Sequence, residues 1–221
     1  MTMIVAIDGL AASGKSSLAQ AIAKKCSLFY VDSGSFYRFI TYRLLYEGIS
    51  PDQHDAICSF LPMVRFHYRT ARHFWKGRDV SEALRSSAID ELVSGVARIG
   101  LVRKKINRTV RRLVKHKPAV VEGRDIGTVV FPKADLKIFL LASEEARIAR
   151  RNQQRQEWGH SAERECVKKN IQLRDRIDSE REIAPLVPAT DAVIIDTSQL
   201  TLEETVARGC KLVQECWKKH G

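Results

Sequence analysis

Residues 4–17 read Ile4-Val5-Ala6-Ile7-Asp8-Gly9-Leu10-Ala11-Ala12-Ser13-Gly14-Lys15-Ser16-Ser17, and this stretch decides the fold. A short apolar run breaks into a loop of glycine and small residues that ends on a lysine and a hydroxyl. From Gly9 to Ser16 the loop fits GxxxxGK[ST]. In that pattern the glycines let the backbone bend until successive N–H groups point at one phosphate chain. Lys15 reaches the β/γ oxygens, and the Ser16 hydroxyl is offered to Mg²⁺. A helix beginning near Lys15 adds the positive end of its dipole. A strand before the loop and a helix after it are the context this motif requires. Gly9, Leu10, Ala11, Ala12, Ser13, Gly14, Lys15, Ser16 and Ser17 are therefore the candidate nucleotide-phosphate site, with Ser16 as the metal contact.

Outward from this loop, short apolar strand candidates fall at 3–8, 28–31, 119–122, 136–142 and 192–196. Helical periodicity covers about 15–26, 36–47, 90–116, 144–158, 162–180 and 202–218. Strands that alternate with helices and are apolar without alternation mean a parallel sheet covered on both faces. Residues 64–69 and 72–76 alternate apolar and polar instead. With GRDVSEALR following, they read as a small antiparallel piece inserted into the main α/β fold.

Composition limits the function classes. With 221 residues, 44% hydrophobic and 29% charged, the chain has the balance of a globular domain with a proper core. Its longest apolar stretches are far too short to cross a bilayer. The N-terminus lacks a signal-peptide pattern, and the five scattered cysteines have no CxxC spacing, which suits reduced thiols. A cytoplasmic location is expected. The net charge of +11 fits a nucleic-acid binder or an enzyme that surrounds several phosphates with arginine. A guanine-reading switch needs Asn-Lys-x-Asp. The nearest match is Pro132-Lys133-Ala134-Asp135, where proline cannot supply the asparagine's hydrogen bonds. A motor usually carries a strand ending in acidic residues, and only 119–122 has such an end.

Three segments put arginine and carboxylate together where strands end or a helix ends. They are Val31-Asp32-Ser33-Gly34-Ser35-Phe36-Tyr37-Arg38, Val121-Glu122-Gly123-Arg124-Asp125-Ile126-Gly127-Thr128 and Arg174-Asp175-Arg176-Ile177-Asp178-Ser179-Glu180-Arg181. In a parallel sheet the carboxyl ends of neighbouring strands line one crevice, so the first two are expected to converge on the phosphate loop.

GLAASGKSS, DSGSFYR, GRDVSEALR, EGRDIGTVVFP, KIFLLASEEARIARR and IAPLVPATDAVIID together resemble the bacterial cytidylate (CMP) kinases, a family of P-loop nucleoside monophosphate kinases. The likeness runs in order over nearly the whole chain, and the GRDIGTVVFP stretch is its most specific part. It implies a P-loop NTPase-type three-layer fold with a central parallel five-stranded sheet. The implied organisation is a single kinase domain over 1–221, with a monophosphate-binding insert at about 62–85 and a helical lid at about 147–175. It also implies ATP with Mg²⁺ as donor, CMP or dCMP as acceptor, and diphosphates as products. A monomer without stable nucleic-acid or membrane partners is expected.

The resemblance carries roles to individual residues. Arg38, Arg124 and Arg181 match positions that hold the acceptor phosphate, and forked guanidinium groups suit that task. Ser33 joins the acceptor contacts from the same segment as Arg38. Asp125 accepts from the cytosine N4 amino group, while Arg103, with Ser94 nearby, donates to the ring acceptors. Uracil carries a carbonyl at position 4, so Asp125 would face an acceptor and be left unpaired, which discriminates strongly. Arg174 and Asp178 match the sugar contacts. Arg147, Arg151 and Arg155 fall in the lid. Lys15, Arg124, Arg151 and Arg181 form the expected catalytic set around a transfer that is mostly positioning and charge neutralisation.

The sequence also departs from the family pattern. Ala12 stands where the family usually has another loop glycine, and Leu10 where proline is common. Alanine is harmless there at negative φ and costly otherwise. Glu122 replaces the usual aspartate before GRD, and Ile177 takes a place where the family often has arginine. Residues 98–117 carry nine Lys/Arg and no acid. Ile99, Val102, Ile106, Val110 and Leu113 recur there at helical spacing, so the charges other than Arg103 read as a solvated helix face.

Overall fold

A computed structural model of the protein describes residues 2–157 and 163–220. The first half of the chain runs β1 (Ile4–Gly9), α1 (Lys15–Lys25), β2 (Phe29–Asp32), α2 (Ser33–Tyr46), α3 (His54–Phe60), β3 (His67–Arg69), β4 (Arg72–Trp75), β5 (Arg78–Asp79), α4 (Ser87–Val96) and α5 (Gly100–Val114). It continues through β6 (Ala119–Glu122), β7 (Leu136–Leu141), α6 (Glu144–Glu157), α7 (Arg164–Glu180), β8 (Val193–Asp196) and α8 (Leu202–His220). Two compact units result, Met1–Val31 with Leu113–Gly221, and Asp32–Arg112.

The first unit is built on a five-stranded sheet of order β2-β6-β1-β7-β8. β1 lies in the middle, parallel to β6 on one side and β7 on the other, and β7 is parallel to β8. Val5, Ala6 and Ile7 are all buried, the unalternating pattern of a strand covered on both faces. The register sets Ile7 level with Glu122 and Ile138, and Gly9 level with Leu140. Three strands therefore end together, and the loop after β1 opens at their common carboxyl edge, where α/β sheets bind ligands. Leu18, Ile22, Val206 and Val213 from α1 and α8 complete a core with Val5, Ile7, Val120, Ile138 and Leu140. A Cβ on Gly209 of α8 would stand 2.7 Å from Ile22 Cδ1, so glycine permits the close approach of the two helices there.

The second unit opens with α2, which starts three residues earlier than periodicity suggests. The Asp32 carboxylate accepts the Ser35 N–H at 3.1 Å, an N-cap that organises the first turn. The expected antiparallel insert is a sheet of order β3-β4-β5. Thr70 and Ala71, both at positive φ, form its first turn, the combination that matches strand twist in two-residue hairpins. Phe36 and Phe39 of α2 pack against Phe66 and His73. Here apolar burial holds the hairpin to the helix.

The single helix expected over 90–116 is two helices, α4 and α5. Gly95 and Gly100 flank the break, and helix interiors disfavour glycine. The chain tightens between them, with Arg98 N–H donating to Gly95 and Ile99 N–H to Val96. The Arg103 guanidinium then caps the Ala97 carbonyl at 2.9 Å. α3 and the wide helical turn Ile126–Val130 escaped the sequence reading, because both are too short to show a period.

Candidate functional site: the phosphate loop and its carboxylate–arginine network

The loop after β1 depends on two glycines for different reasons. A Cβ on Gly9 would meet the Leu140 carbonyl oxygen at 2.4 Å, so β7 runs too close for any side chain. Gly14 caps α1 at φ 93°, a left-handed conformation that glycine adopts at no steric cost. Ala12 also has positive φ, 58°, so alanine sits in the conformation where it is costly. Its methyl packs against Ile148, Val167 and Ile171 of α6 and α7, a contact that glycine would lack.

Lys15 is buried and folds back on its loop, donating to the Leu10 carbonyl at 2.6 Å and lying 3.4 Å from Ser13 Oγ. Burial, with the positive charge of Arg124 adding to it, pushes its pKa down to about 7. Ser16 and Ser17 are exposed in the first turn of α1. No cluster of three or more His, Cys, Asp or Glu placed to hold a metal occurs among the described residues. A cation at Ser16 would draw its other oxygens from phosphate and water. That donor set suits Mg²⁺, which keeps waters and binds with substrate phosphates.

At the end of β6 the expected residues lie in one connected network. Arg124 Nε donates to Asp178 Oδ2 at 2.9 Å, and Arg181 Nη1 lies 3.4 Å from Asp178 Oδ1. Arg181 Nη2 is 3.7 Å from Asp125 Oδ1, and Arg181 Nε donates to the Ala184 carbonyl at 2.6 Å. Asp125, Asp178 and Arg181 are buried. Burial works against the charge of Arg124, but the carboxylates of Asp178, Glu122 and Asp175 outweigh it and hold the pKa above its ordinary value. Glu122 is buried and accepts the Tyr30 hydroxyl at 3.1 Å. Arg174 and Ile177 are half-buried on α7.

Several participants were not singled out in the sequence. Asp175 accepts the Ala11 N–H at 2.9 Å and pairs with Arg147, which also donates to the Ala11 carbonyl at 3.3 Å. Arg147 thus ties α6 to α7 and to the phosphate loop. Arg150 donates to Thr197 Oγ1 at 2.9 Å and to the Thr197 carbonyl at 2.5 Å, and reaches the Ser13 carbonyl at 3.5 Å. Arg151 donates to Gln154 at 2.7 Å, and Arg155 is half-buried. Helical spacing offered a signal for Asp175, since 171, 174, 175 and 178 share one face. Residues 158–162 belong to the expected lid and lie outside the described residues.

Within the second unit, Ser33 is buried at the start of α2. Arg38 Nη2 pairs with Asp90 Oδ1 at 2.6 Å, and Nη1 donates to the Leu84 carbonyl at 3.2 Å. Asp90 was missed, although it stands one turn before the buried Ser94 on α4. Arg103 is buried with its guanidinium 5.6 Å from the Tyr37 ring centroid. Most other cations of this segment face outward, with Lys105 half-buried. Lys104, Arg108, Arg111 and Arg112 are exposed, while Val102, Ile106, Val110 and Val114 are buried. No described helix is long and apolar enough to cross a membrane.

The family model for cytidylate kinase matches residues 5–215. Among relatives named cytidylate kinase, that of Geobacillus thermodenitrificans is 43% identical, covering 96% of each chain. Those of Thermotoga neapolitana (42%, over 97% of this chain and 98% of the relative) and Bacillus cytotoxicus (40%, over 97% of each) are similar. A gluconokinase from Sinorhizobium meliloti shares the fold at 16% identity and a TM-score of 0.52, covering 99% of this chain and 95% of that one. An uncharacterized protein from Eubacterium ventriosum does so at 10% and 0.55, with 96% and 99% covered. With a phosphate loop after the central strand, arginine–carboxylate pairs at the end of its neighbour, and a family match over almost its whole length, the chain belongs to the cytidylate kinase family.

Proposed function

We propose that the protein transfers the γ-phosphate of ATP to CMP or dCMP, giving ADP and CDP or dCDP. The observation that carries this reading is the Arg124–Asp178–Arg181–Asp125 network at the end of β6, buried except at Arg124, in a chain whose family is cytidylate kinase. Gly9, Leu10, Ala11, Ala12, Ser13, Gly14, Lys15, Ser16 and Ser17 hold the donor phosphates, with Mg²⁺ at the Ser16 hydroxyl. When bound, the ion would polarise phosphate oxygens and offset their charge. Arg38, Arg124 and Arg181 hold the acceptor phosphate with Ser33. Arg174 and Asp178 contact the sugar, and Asp125, Ser94 and Arg103 the base. Residues 62–85 act as the acceptor module of a single kinase domain, and 147–175 as its lid, with Arg151 over the transferring group. The protein works as a cytoplasmic monomer on small nucleotides.

No covalent intermediate is needed, because such transfers run on alignment and on neutralising charge at the moving phosphoryl group. Lys15 is suited to the task once phosphate arrives, since an anion restores the charge that burial suppresses. Selectivity rests on Asp125. Its carboxylate accepts from N4 of cytosine and repels O4 of uracil, whereas an amide can donate to O4. Asp125→Asn is therefore expected to lower the CMP/UMP ratio of kcat/KM at least tenfold. An unchanged ratio would remove Asp125 from base recognition.

A further inference from the structure

Asp8 is the penultimate residue of β1, directly before the first loop glycine, and it is 6% exposed. Both of its carboxylate oxygens are engaged across the sheet edge. Oδ1 accepts the Ile126 N–H at 2.8 Å and Oδ2 the Gly127 N–H at 2.7 Å. Those amides are the first two after Asp125, at the start of the helical turn Ile126–Val130, whose bonds begin with Val129 and Val130 N–H donating to the Asp125 carbonyl. The first N–H groups of a helical turn have no acceptor within the turn. An aspartate at the position of Asp125 ordinarily bends its own carboxylate back to the N–H of the second or third residue of the turn, here Gly127 or Thr128. Asp125 makes no such side-chain cap. Its Oδ1 instead stands 3.7 Å from Arg181 Nη2.

We propose that Asp8 is a positioning residue for acceptor selectivity: by capping Ile126 and Gly127 from β1, it keeps the Asp125 carboxylate from being drawn into its own helical turn. The same contact fixes the distance between Gly9, where the donor loop begins, and the base-reading aspartate. Gly123 N–H donating to the Ile7 carbonyl at 2.9 Å continues the β1–β6 ladder to that point. Gly127 is part of the device. A Cβ there would stand 3.1 Å from Lys137 Cδ and 3.4 Å from Asp8 Oδ2, so alanine presses against the cap on one side and displaces the Lys137 side chain on the other. The inference rests on the assignment of Asp125 to the base.

The test compares kcat/KM for CMP and UMP, and KM for ATP, in the wild type, Asp8→Asn and Gly127→Ala. An asparagine offers one acceptor and sets its NH₂ against an N–H, so Asp125 is expected to turn back and cap. The CMP/UMP ratio should fall at least tenfold in Asp8→Asn and at least threefold in Gly127→Ala, with KM for ATP changed less than twofold. A ratio measured on one preparation does not depend on how much of it is folded, so a merely structural role would leave it unmoved. If Asp8→Asn yields no folded protein, Gly127→Ala decides alone. A ratio kept within twofold, or a KM for ATP that rises as much as that for CMP, overturns the proposal. A wild type without preference for CMP over UMP overturns the base assignment itself, and the proposal with it.

Discussion

Removing the Asp175 carboxylate should uncouple the phosphate loop from helices α6 and α7. Asp175 pairs with Arg147, and their side chains are 14% and 8% exposed, so each charge depends on the other for solvation. Breaking such a pair strands a buried charge at a cost of about 3–5 kcal/mol. Asp175→Asn loses the charge but keeps an acceptor for the Ala11 N–H. Asp175→Ala loses that bond as well and should cost about 1 kcal/mol more. Arg147→Ala leaves Asp175 with the Ala11 amide but without its cation, and should also cost about 3 kcal/mol. The double variant strands no charge, so it should be milder than the sum of the singles by about 2 kcal/mol or more. Urea unfolding of the wild type, Asp175→Ala, Arg147→Ala and the variant carrying both measures the cycle. Singles below about 1 kcal/mol, or costs that simply add, would refute the claim that this pair locks the loop. Initial-rate kinetics supply a second arm, with KM for ATP expected to rise in Asp175→Ala, which loses the bond to the Ala11 N–H of the proposed donor loop.

Other consequences are equally direct. Ala12→Gly relieves left-handed strain of about 1–2 kcal/mol. It also loosens the unfolded chain by about 0.4–1 kcal/mol and deletes a half-buried methyl worth under about 0.8 kcal/mol. Thermal unfolding should therefore show little net change for Ala12→Gly, whereas Ala12→Val, β-branched at positive φ, should lose about 2 kcal/mol. A fully stable Ala12→Val would contradict that backbone. Gly9→Ala sets a Cβ against the Leu140 carbonyl and should abolish recovery of folded protein on expression. Lys15, with its pKa lowered to about 7, binds fewer protons folded than unfolded between pH 7 and 10.5, so its contribution to stability rises with pH across that window. Triphosphate binding should recharge it, with uptake of roughly 0.8 proton at pH 7.5. Calorimetry in two buffers of different ionisation heat reads that number, and zero uptake would contradict the buried, neutralised lysine.

The loop, the strands and the two arginine-bearing segments after them were legible because each has a local signature: glycine spacing, apolar runs, and charge at strand ends. The resemblance located Asp125, Asp178 and Arg181, but nothing in the sequence showed that Arg181 spans the other two. That link is made by the return of the chain at the end of α7. Asp8 and Asp175 were harder to find, because a single acid beside a motif looks the same whether it faces water or caps a distant backbone. The conformation of Ala12 was posed by the sequence as a choice of φ, and only the path of the loop decides it. The break between α4 and α5 hid behind an unbroken apolar period. Two flanking glycines were its only trace, and Arg103 completes the cap from the next helix.

The most direct test of the account is ADP formation from Mg-ATP by the purified protein with AMP, GMP, UMP, CMP and dCMP in turn. Fast turnover with CMP or dCMP, and at least tenfold less with the other three, is the expected result. Equal turnover with UMP, or none with any of the five, would contradict the reading of Asp125 and the arginine network as a cytidylate site.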